Sequence, residues 1–240
     1  MDLLLDPRKI CTFDCIYCQL GPTRNPRTAP SCFVSTARFV RELGEALKKA
    51  EADFLTFSGT GEPTLASNLG EAIREAKRRT SLPIAILTNS SLLHRDEVRR
   101  ALREADVIVA KLDAPAEEIF RLVNRPFGDL KLEDIVRGIR MLRREFGGKL
   151  ALQMMFVSHN KTRASEMAEL SSFLEPDEIQ LNTPLRPSPV PPLSPEEMRE
   201  IKKAFEPLAR RGVKVISVYE ASRPQVIPLD FEEIKMRGRK

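Results

Sequence analysis

The chain carries three of its four cysteines in the stretch Cys11-Thr12-Phe13-Asp14-Cys15-Ile16-Tyr17-Cys18, with the spacing C-x3-C-x2-C. Three thiolates on one short loop can each bind a different iron of a [4Fe-4S] cluster, which leaves the fourth iron open for chemistry. Structural zinc is the alternative, but such a site needs four closed ligands. His94 and His159 lie far away in the sequence, and we expect both to be structural. The spacing therefore favours one cluster over zinc.

A glycine-rich turn, Ser58-Gly59-Thr60-Gly61-Glu62-Pro63-Thr64, follows the next apolar run. Glycine has no Cβ, so Gly59 and Gly61 allow the backbone to approach a ligand closely. On its own, the turn is equally compatible with an ordinary connection between a strand and a helix.

The cysteine stretch, with Tyr17 before its last cysteine, and the glycine-rich turn together resemble the two signatures of the radical S-adenosylmethionine (radical SAM) superfamily. Asn124-Arg125-Pro126 and Gln180-Leu181-Asn182-Thr183-Pro184 are most similar to its wyosine-synthetase-related group of Fe-S oxidoreductases. The resemblance covers residues 1–205 and implies an incomplete (β/α)6 barrel. The wyosine-forming enzymes carry further N-terminal cysteines for a second cluster, which this sequence lacks, so we do not expect the wyosine reaction itself.

The resemblance implies a reaction and its cofactors. The amino and carboxylate groups of S-adenosylmethionine bind the open iron, and one electron from the cluster cleaves the C–S bond. The products are methionine and a 5′-deoxyadenosyl radical, which abstracts hydrogen from a substrate. An electron donor such as ferredoxin or flavodoxin is implied as a partner. The candidate substrates are a tRNA base or other RNA and an anionic small molecule.

The resemblance also implies roles for individual residues. The glycine-rich turn contacts the amino group of S-adenosylmethionine, Glu62 holds that turn, and Tyr17 lies beside the adenine. Ligands bind at the carboxyl ends of parallel strands, so polar residues at these ends are the further candidates. The predicted cofactor contacts are Tyr17, Ser58, Gly59, Thr60, Gly61, Glu62, Asn89, Lys111, Asp113, Gln153 (or Met155), Gln180 and Asn182. Lys111 stands where the family pattern leads us to expect serine.

Three residues are candidates for contact with the substrate. Arg125 and Arg186 can pair with an anionic group. Arg186 is part of the segment Thr183–Leu193, whose five prolines predict a stiff rim at the mouth of the barrel. Cys32 is the fourth cysteine, and we expect it to be buried and structural because free cysteines usually are. A thiol that faces the substrate, or donates hydrogen to it, is the alternative.

Short apolar runs alternate with amphipathic segments along the whole chain, which predicts an α/β fold with parallel strands and outer helices. Periodicity cannot distinguish a closed sheet from an open one. The predicted strands are Leu3–Leu5, Asp53–Phe57, Pro83–Thr88, Val107–Ala110, Leu150–Val157, Glu178–Leu181 and Val213–Tyr219. The cysteine stretch would follow the first strand directly. Ser194-Pro195-Glu196-Glu197 predicts the start of a helix that continues to Arg211.

The composition predicts one globular domain over residues 1–240, with a core to residue 220 and a basic tail over 221–240. No apolar run is long enough to span a membrane and no signal peptide is recognisable, so we expect a cytoplasmic protein. The net charge of +5 permits an anionic substrate or RNA. Two alternatives to the leading prediction are a glycyl-radical-enzyme activase and a non-enzymatic nucleic-acid-binding module held together by a metal.

Overall fold

The computed structural model describes residues 1–5, 9–49 and 51–221. The predicted basic tail therefore lies outside the described residues, apart from Ala221. Among the helices that are described, none is long and apolar enough to cross a membrane.

Six parallel strands form one sheet in which the spatial order is the order along the chain. The strands are β1 (Leu55–Phe57), β2 (Ile84–Thr88), β3 (Val107–Lys111), β4 (Lys149–Met155), β5 (Glu178–Asn182) and β6 (Lys214–Ser217). Each neighbouring pair is parallel, and β1 and β6 are the two edges, so the sheet is open. The predicted α/β fold with an incomplete six-stranded barrel is confirmed.

Helices connect these strands. They are α1 (Thr36–Lys49), α2 (Leu69–Lys77), α3 (Asp96–Leu102), α4 (Glu117–Val123), α5 (Leu132–Glu145), α6 (Ala164–Leu174), α7 (Pro195–Lys203) and α8 (Glu206–Arg210). The apolar residues of α5 recur at helical spacing, and Ile135, Ile139 and Leu142 are buried together with the apolar side chains of the sheet. The opposite face of the sheet carries polar residues. Lys111, Gln153 and Gln180 are register partners on β3, β4 and β5, so their side chains lie side by side.

The prediction of a first strand over Leu3–Leu5 is wrong. Leu3 and Leu4 are buried, as predicted, but these residues form no strand in the described part of the chain. The N–H group of Leu4 donates to the carboxylate of Asp2 at 2.9 Å, and Leu5 has a φ of 27°, which is outside the β region. This local capping replaces the ladder that a strand would need.

The helix predicted from Ser194 to Arg211 begins where predicted but breaks in the middle. The Ser194 hydroxyl accepts from the N–H of Glu197 at 3.2 Å, and the Glu197 carboxylate accepts from the N–H of Ser194 at 2.8 Å, which completes a capping box. The first helix ends at Lys203, four residues before Pro207. Proline has no N–H to give to the carbonyl four residues earlier and clashes with it. The chain therefore restarts as a separate short helix.

Candidate functional site

The cysteine loop, defined here as residues 9–22, is fixed on two sides. At its start, Ile10 forms a parallel bridge with Gly61. At its centre, the N–H groups of Asp14 and Ile16 donate to the carbonyls of Asn124 and Val123 at 3.1 and 3.0 Å. The last carbonyls of a helix have no partners inside that helix. The loop thus satisfies the end of α4 and is held in place by it.

The glycines of the turn permit a close contact between two segments of the protein. A Cβ on Gly61 would lie 1.6 Å from the carbonyl oxygen of Ile10. That oxygen accepts from the N–H of Glu62 at 2.9 Å, and the N–H of Ile10 donates to Thr60 at 3.0 Å. Gly59 has a φ of 152°, and a Cβ there would collide with the carboxylate of Asp2. The absence of Cβ atoms at these glycines thus allows the start of the cysteine loop to pack directly against the turn.

Glu62 ties the turn to the end of β2. One carboxylate oxygen accepts from the hydroxyls of Thr64 and Thr88, both at 2.7 Å, and the other accepts from the N–H of Asn89 at 2.6 Å. Burial raises the pKa of Glu62, and these hydrogen bonds offset part of that rise. The carboxylate therefore holds Asn89 in position beside the cysteine loop.

Asp2 is a residue of this region that sequence reasoning missed. Its carboxylate accepts from the N–H of Thr60 at 2.8 Å and from the Thr60 hydroxyl at 2.9 Å. These contacts span 58 positions of the chain, and a single acidic residue ahead of an apolar run gives no local signal for them. The donors of Thr60 are consequently occupied by the protein itself.

Asp113, after β3, is the centre of a buried hydrogen-bond network. Its carboxylate accepts from the hydroxyl of Tyr17, from the side-chain amide of Asn124 at 2.7 Å and from the N–H of Met155 at 2.7 Å. Burial, and after it the negative charge of Asp113, raise the pKa of Tyr17 well above its usual value. Lys111 lies beside both, with its Nζ 3.6 Å from the carboxylate and 5.1 Å from the centre of the Tyr17 ring. The network fixes Tyr17 against the end of β3.

Two asparagines direct amide groups at cysteine sulfurs. The Nδ2 of Asn89 lies 3.5 Å from the Sγ of Cys11, and the Nδ2 of Asn124 lies 3.6 Å from the Sγ of Cys15. The two donors come from different elements, the end of β2 and the end of α4. Hydrogen bonds to the sulfurs are among the features that set the reduction potential of an iron–sulfur cluster.

Lys9 provides a positive charge next to the third sulfur. Its side chain is buried, donates to the carbonyl of Gly21 at 3.3 Å and is hydrogen-bonded to Cys18. Burial by itself would lower the pKa of Lys9, but the sulfurs of Cys18, Cys11 and Cys15 raise it, and the net pKa is raised. A buried ammonium needs such partners, because a charge without them is costly to bury.

Burial of the cysteine loop disfavours the thiolate form of two of its cysteines. Burial raises the pKa of Cys11 to about 12 and that of Cys15 to about 11. Thiols must lose their protons to bind a metal, so loading the site releases protons. Within the described residues, no three His, Cys, Asp or Glu side chains converge as one metal ion would require.

One buried polar atom near this loop has no partner. The Oδ1 of Asn124 is buried and unpaired, while the Nδ2 of the same side chain donates to Asp113. A cavity of about 10 Å³, bordered by Asn89, Lys111, Asp113 and Asn124, lies beside these residues. An unmet buried acceptor costs about 1–3 kcal/mol. A cavity of this size has room for at most one water molecule, so an ordered water is the natural partner of this acceptor.

The remaining predicted cofactor contacts lie lower on the same face of the sheet. The amide of Gln153 donates to Gln180 at 2.9 Å, and Gln180 donates to Glu178 at 2.8 Å. Glu178 in turn pairs with Lys149 at 2.6 Å. Asn182 stands at the end of β5, where its carbonyl accepts from the N–H of Phe156 at 2.7 Å. The two glutamines thus form a connected row rather than isolated ligand groups.

Two expectations about single residues need correction or extension. Cys32 was expected to be buried, but it is exposed: Val34 is the buried residue of this segment, and the Cys32 thiol donates to the Val34 carbonyl at 3.6 Å. His159, for which a structural role was expected, borders a pocket of about 320 Å³ beside Cys15 and Cys18, together with Arg125, and that expectation stays a prediction. His159 lies four residues after the last residue of β4, in the connection at the carboxyl end of that strand.

Three comparisons relate the chain to known proteins. A family model described as the Radical SAM superfamily matches residues 7–171. A UPF0026 protein of Synechocystis sp. is 40% identical over 181 residues, which are 75% of this chain and 68% of that protein. A UPF0026 protein of Methanocaldococcus jannaschii is 33% identical over 226 residues, which are 90% of this chain and 70% of that protein.

Other relatives match the chain over a smaller share of their own length. GTPase Obg of Brachyspira hyodysenteriae is 33% identical over 235 residues, 95% of this chain but only 35% of that protein. Among solved structures, Streptococcus suis SuiB bound to S-adenosylmethionine has a TM-score of 0.68 at 13% identity and covers 90% of this chain and 49% of its own. Native anSMEcpe with bound AdoMet has a TM-score of 0.66 at 16% identity, over 91% of this chain and 64% of its own. These structures share the fold.

Proposed function

This chain belongs to the radical SAM superfamily, and on that premise we propose that it binds one [4Fe-4S] cluster and S-adenosylmethionine and performs radical chemistry on a substrate. The proposal is carried by one observation: Cys11 and Cys15 each lie within reach of an amide donor from a different strand or helix end. Such donors suit thiolates that carry negative charge, since charge-assisted hydrogen bonds are the strong ones.

In this proposal, Cys11, Cys15 and Cys18 hold the cluster. When bound, the cluster and S-adenosylmethionine supply a one-electron cleavage to methionine and a 5′-deoxyadenosyl radical. Asn89 and Asn124 orient the thiolates and disperse their charge. The ammonium of Lys9, next to Cys18, balances that charge. The buried surroundings of Tyr17 exclude water from this side of the site.

S-Adenosylmethionine would be bound along the carboxyl ends of the strands. The carbonyls of the turn over residues 58–62 are assigned to its amino group, and Lys111 to its carboxylate. Gln153, Gln180 and Asn182 lie further along the same face and are assigned to its nucleoside part or to the substrate.

The substrate class stays open among a tRNA base or other RNA and an anionic small molecule. The names of related proteins point in different directions. SuiB has been solved with the precursor peptide SuiA and anSMEcpe with a peptide, while a Probable GTP 3′,8-cyclase of Metallosphaera sedula is 25% identical over 185 residues. The fold alone therefore does not select among these classes. An external one-electron donor such as ferredoxin or flavodoxin completes the proposal.

The experiment that tests this function is an anaerobic incubation of the reconstituted protein with dithionite and S-adenosylmethionine. We expect formation of 5′-deoxyadenosine and methionine by the parent protein and by Cys32→Ala. Replacement of any motif cysteine by Ala should abolish it, since each holds the group that accepts the electron. A parent protein that carries a full cluster and yet forms no 5′-deoxyadenosine would overturn the proposal.

A further inference from the structure

The pocket of about 320 Å³ beside Cys15 and Cys18, called here the cysteine-side pocket, has no role in the proposed binding of S-adenosylmethionine. Its other lining includes Leu122, Arg125, His159 and Val190. Two of the three motif cysteines thus border a concavity that is open to the surface. A group held by these cysteines would lie next to the wall of this pocket.

The wall of the cysteine-side pocket is largely apolar and preformed. Val190 packs against a buried cluster of Tyr17, Val123 and Val157. The ends of the proline-rich segment are pinned, because the Thr183 hydroxyl accepts from the N–H of Leu193 at 2.8 Å and the Tyr219 hydroxyl donates to the Leu193 carbonyl at 2.8 Å. A rigid apolar wall lowers the entropy that a partner must lose on docking.

The rim of this pocket carries positive charge without local compensation. Arg125 borders it, and Arg186 reaches the loop residue Gln19 at 3.4 Å. Neither arginine forms an ion pair with another described residue, and neither does Arg24, two residues beyond Pro22 of the lining. The acid in the lining, Asp14, has its charge partner in Lys9 at 4.0 Å and also accepts from the N–H of Thr23 at 2.7 Å.

Surface arginines elsewhere in the described chain are commonly paired. Arg121 contacts Glu117 at 2.7 Å and Arg163 contacts Glu166 at 2.5 Å. The unpaired arginines at the cysteine-side pocket therefore make a local positive field. Complementary charge of this kind accelerates the encounter with an acidic protein and fixes its orientation.

We propose that the cysteine-side pocket is the docking site for an acidic one-electron carrier protein, one that bears a flavin or an iron–sulfur centre. One electron passes from the carrier, which is oxidised, to the cluster on the cysteine loop, which is reduced, and no atom is transferred. The proposal rests on the proposed function, because it needs a cluster on Cys15 and Cys18. It assigns Arg125 and Arg186 to the carrier rather than to the substrate.

The test compares two sources of electrons for the cleavage of S-adenosylmethionine in the absence of substrate. Dithionite is small and needs no docking site, whereas reduced flavodoxin or ferredoxin must dock. The variant is Arg125→Glu/Arg186→Glu. Arg125 has a φ of 47°, but Arg and Glu bear that backbone cost equally, so the change alters charge and not fold. The matched control is Arg41→Glu/Arg144→Glu, which makes the same charge change at exposed sites on α1 and α5.

We expect the variant to keep its cluster and its dithionite-driven rate, and to lose about tenfold or more of its carrier-driven rate at low salt. Added salt should slow the carrier-driven reaction of the parent, and it should not slow that of the variant, because screening weakens the repulsion between its glutamates and the carrier. The control should behave like the parent.

Several outcomes would overturn the inference. One is a variant that the carriers reduce as fast as the parent, and another is an equal loss in the control. A parent protein that neither acidic carrier can reduce, although dithionite can, also contradicts it. A parent that fails with dithionite as well would refute the proposed function and not the docking site alone.

Discussion

Two regions flank the cysteine loop, and they differ in how their polar groups are used. In the glycine-rich turn, the polar side chains have partners within the protein. Glu62 accepts from Thr64, Thr88 and Asn89, and Thr60 donates to Asp2. At the end of α4, one polar atom has no partner within the protein: Asn124 leaves a buried oxygen unpaired. Its amide nitrogen lies within hydrogen-bond distance of the Cys15 sulfur. Satisfied groups make a rigid scaffold, whereas an unmet buried acceptor indicates a place for an ordered water or a ligand group. The turn therefore supports the loop, and the end of α4 faces its chemistry.

The largest expected effect is a loss of folding stability when the glycine-rich turn is changed. Gly61→Ala places a Cβ 1.6 Å from the Ile10 oxygen, where backbone must move. We expect destabilisation of at least about 3 kcal/mol, beyond the usual cost of overpacking. Gly44→Ala is the control, because nothing lies within 4 Å of its added Cβ and it is inside α1. It should stabilise by about 0.5–1 kcal/mol. Urea unfolding of both variants measures this, and equal stability of the two would show that the turn does not hold the loop.

Glu62 gives the next effect, in the pH dependence of stability. Its folded pKa is raised, so the native state holds this proton more tightly than the unfolded state does. The stability that Glu62 contributes is then highest below its unfolded pKa and falls as the pH rises through its folded pKa. As the pH rises from the unfolded to the folded pKa of Glu62, the difference in unfolding free energy between the parent and Glu62→Gln should fall. A difference that stays flat, or grows with pH, would contradict the assignment.

A smaller effect is expected at the end of α4. Asn124→Ala removes the amide donor from Cys15, and a hydrogen bond of about 1 kcal/mol corresponds to about 40 mV for one electron. The midpoint potential of the reconstituted protein, followed by EPR, should become more negative by about that amount. Asn25→Ala, at a half-buried position three residues beyond the cysteine loop, is the control and should leave the potential unchanged. An unaltered potential in Asn124→Ala, with the cluster intact, would show that the end of α4 does not act on the cluster.

The sequence predicted those parts of the molecule that depend on local signals. The start of α7 follows from Ser194, Pro195 and Glu197, which act within one turn, and the alternation of apolar runs predicted the parallel sheet. The strand over Leu3–Leu5 was predicted wrongly, because an apolar run does not reveal that Asp2 accepts from the N–H of Leu4 or that Leu5 leaves the β region. The break before α8 could have been anticipated from Pro207.

The site divides in the same way. The cysteines and the glycine-rich turn were recognisable as motifs, but the partners of their atoms were not. The contact between Asn124 and Cys15 joins residues 109 positions apart, and that between Asn89 and Cys11 joins residues 78 apart. Neither spacing leaves a pattern in one sequence. Lys9 lay next to the motif, yet only its burial reveals that its charge faces the sulfurs.

The central claim is that Cys11, Cys15 and Cys18 hold one [4Fe-4S] cluster, and iron and sulfide analysis after anaerobic reconstitution tests it most directly. The account predicts one cluster per chain in the parent and in Cys32→Ala, whose thiol is exposed and apart from the loop. It predicts no cluster when any of the three loop cysteines is replaced by Ala. Two clusters per chain, tetrahedral zinc in anaerobically purified protein, or a colourless Cys32→Ala protein would contradict it.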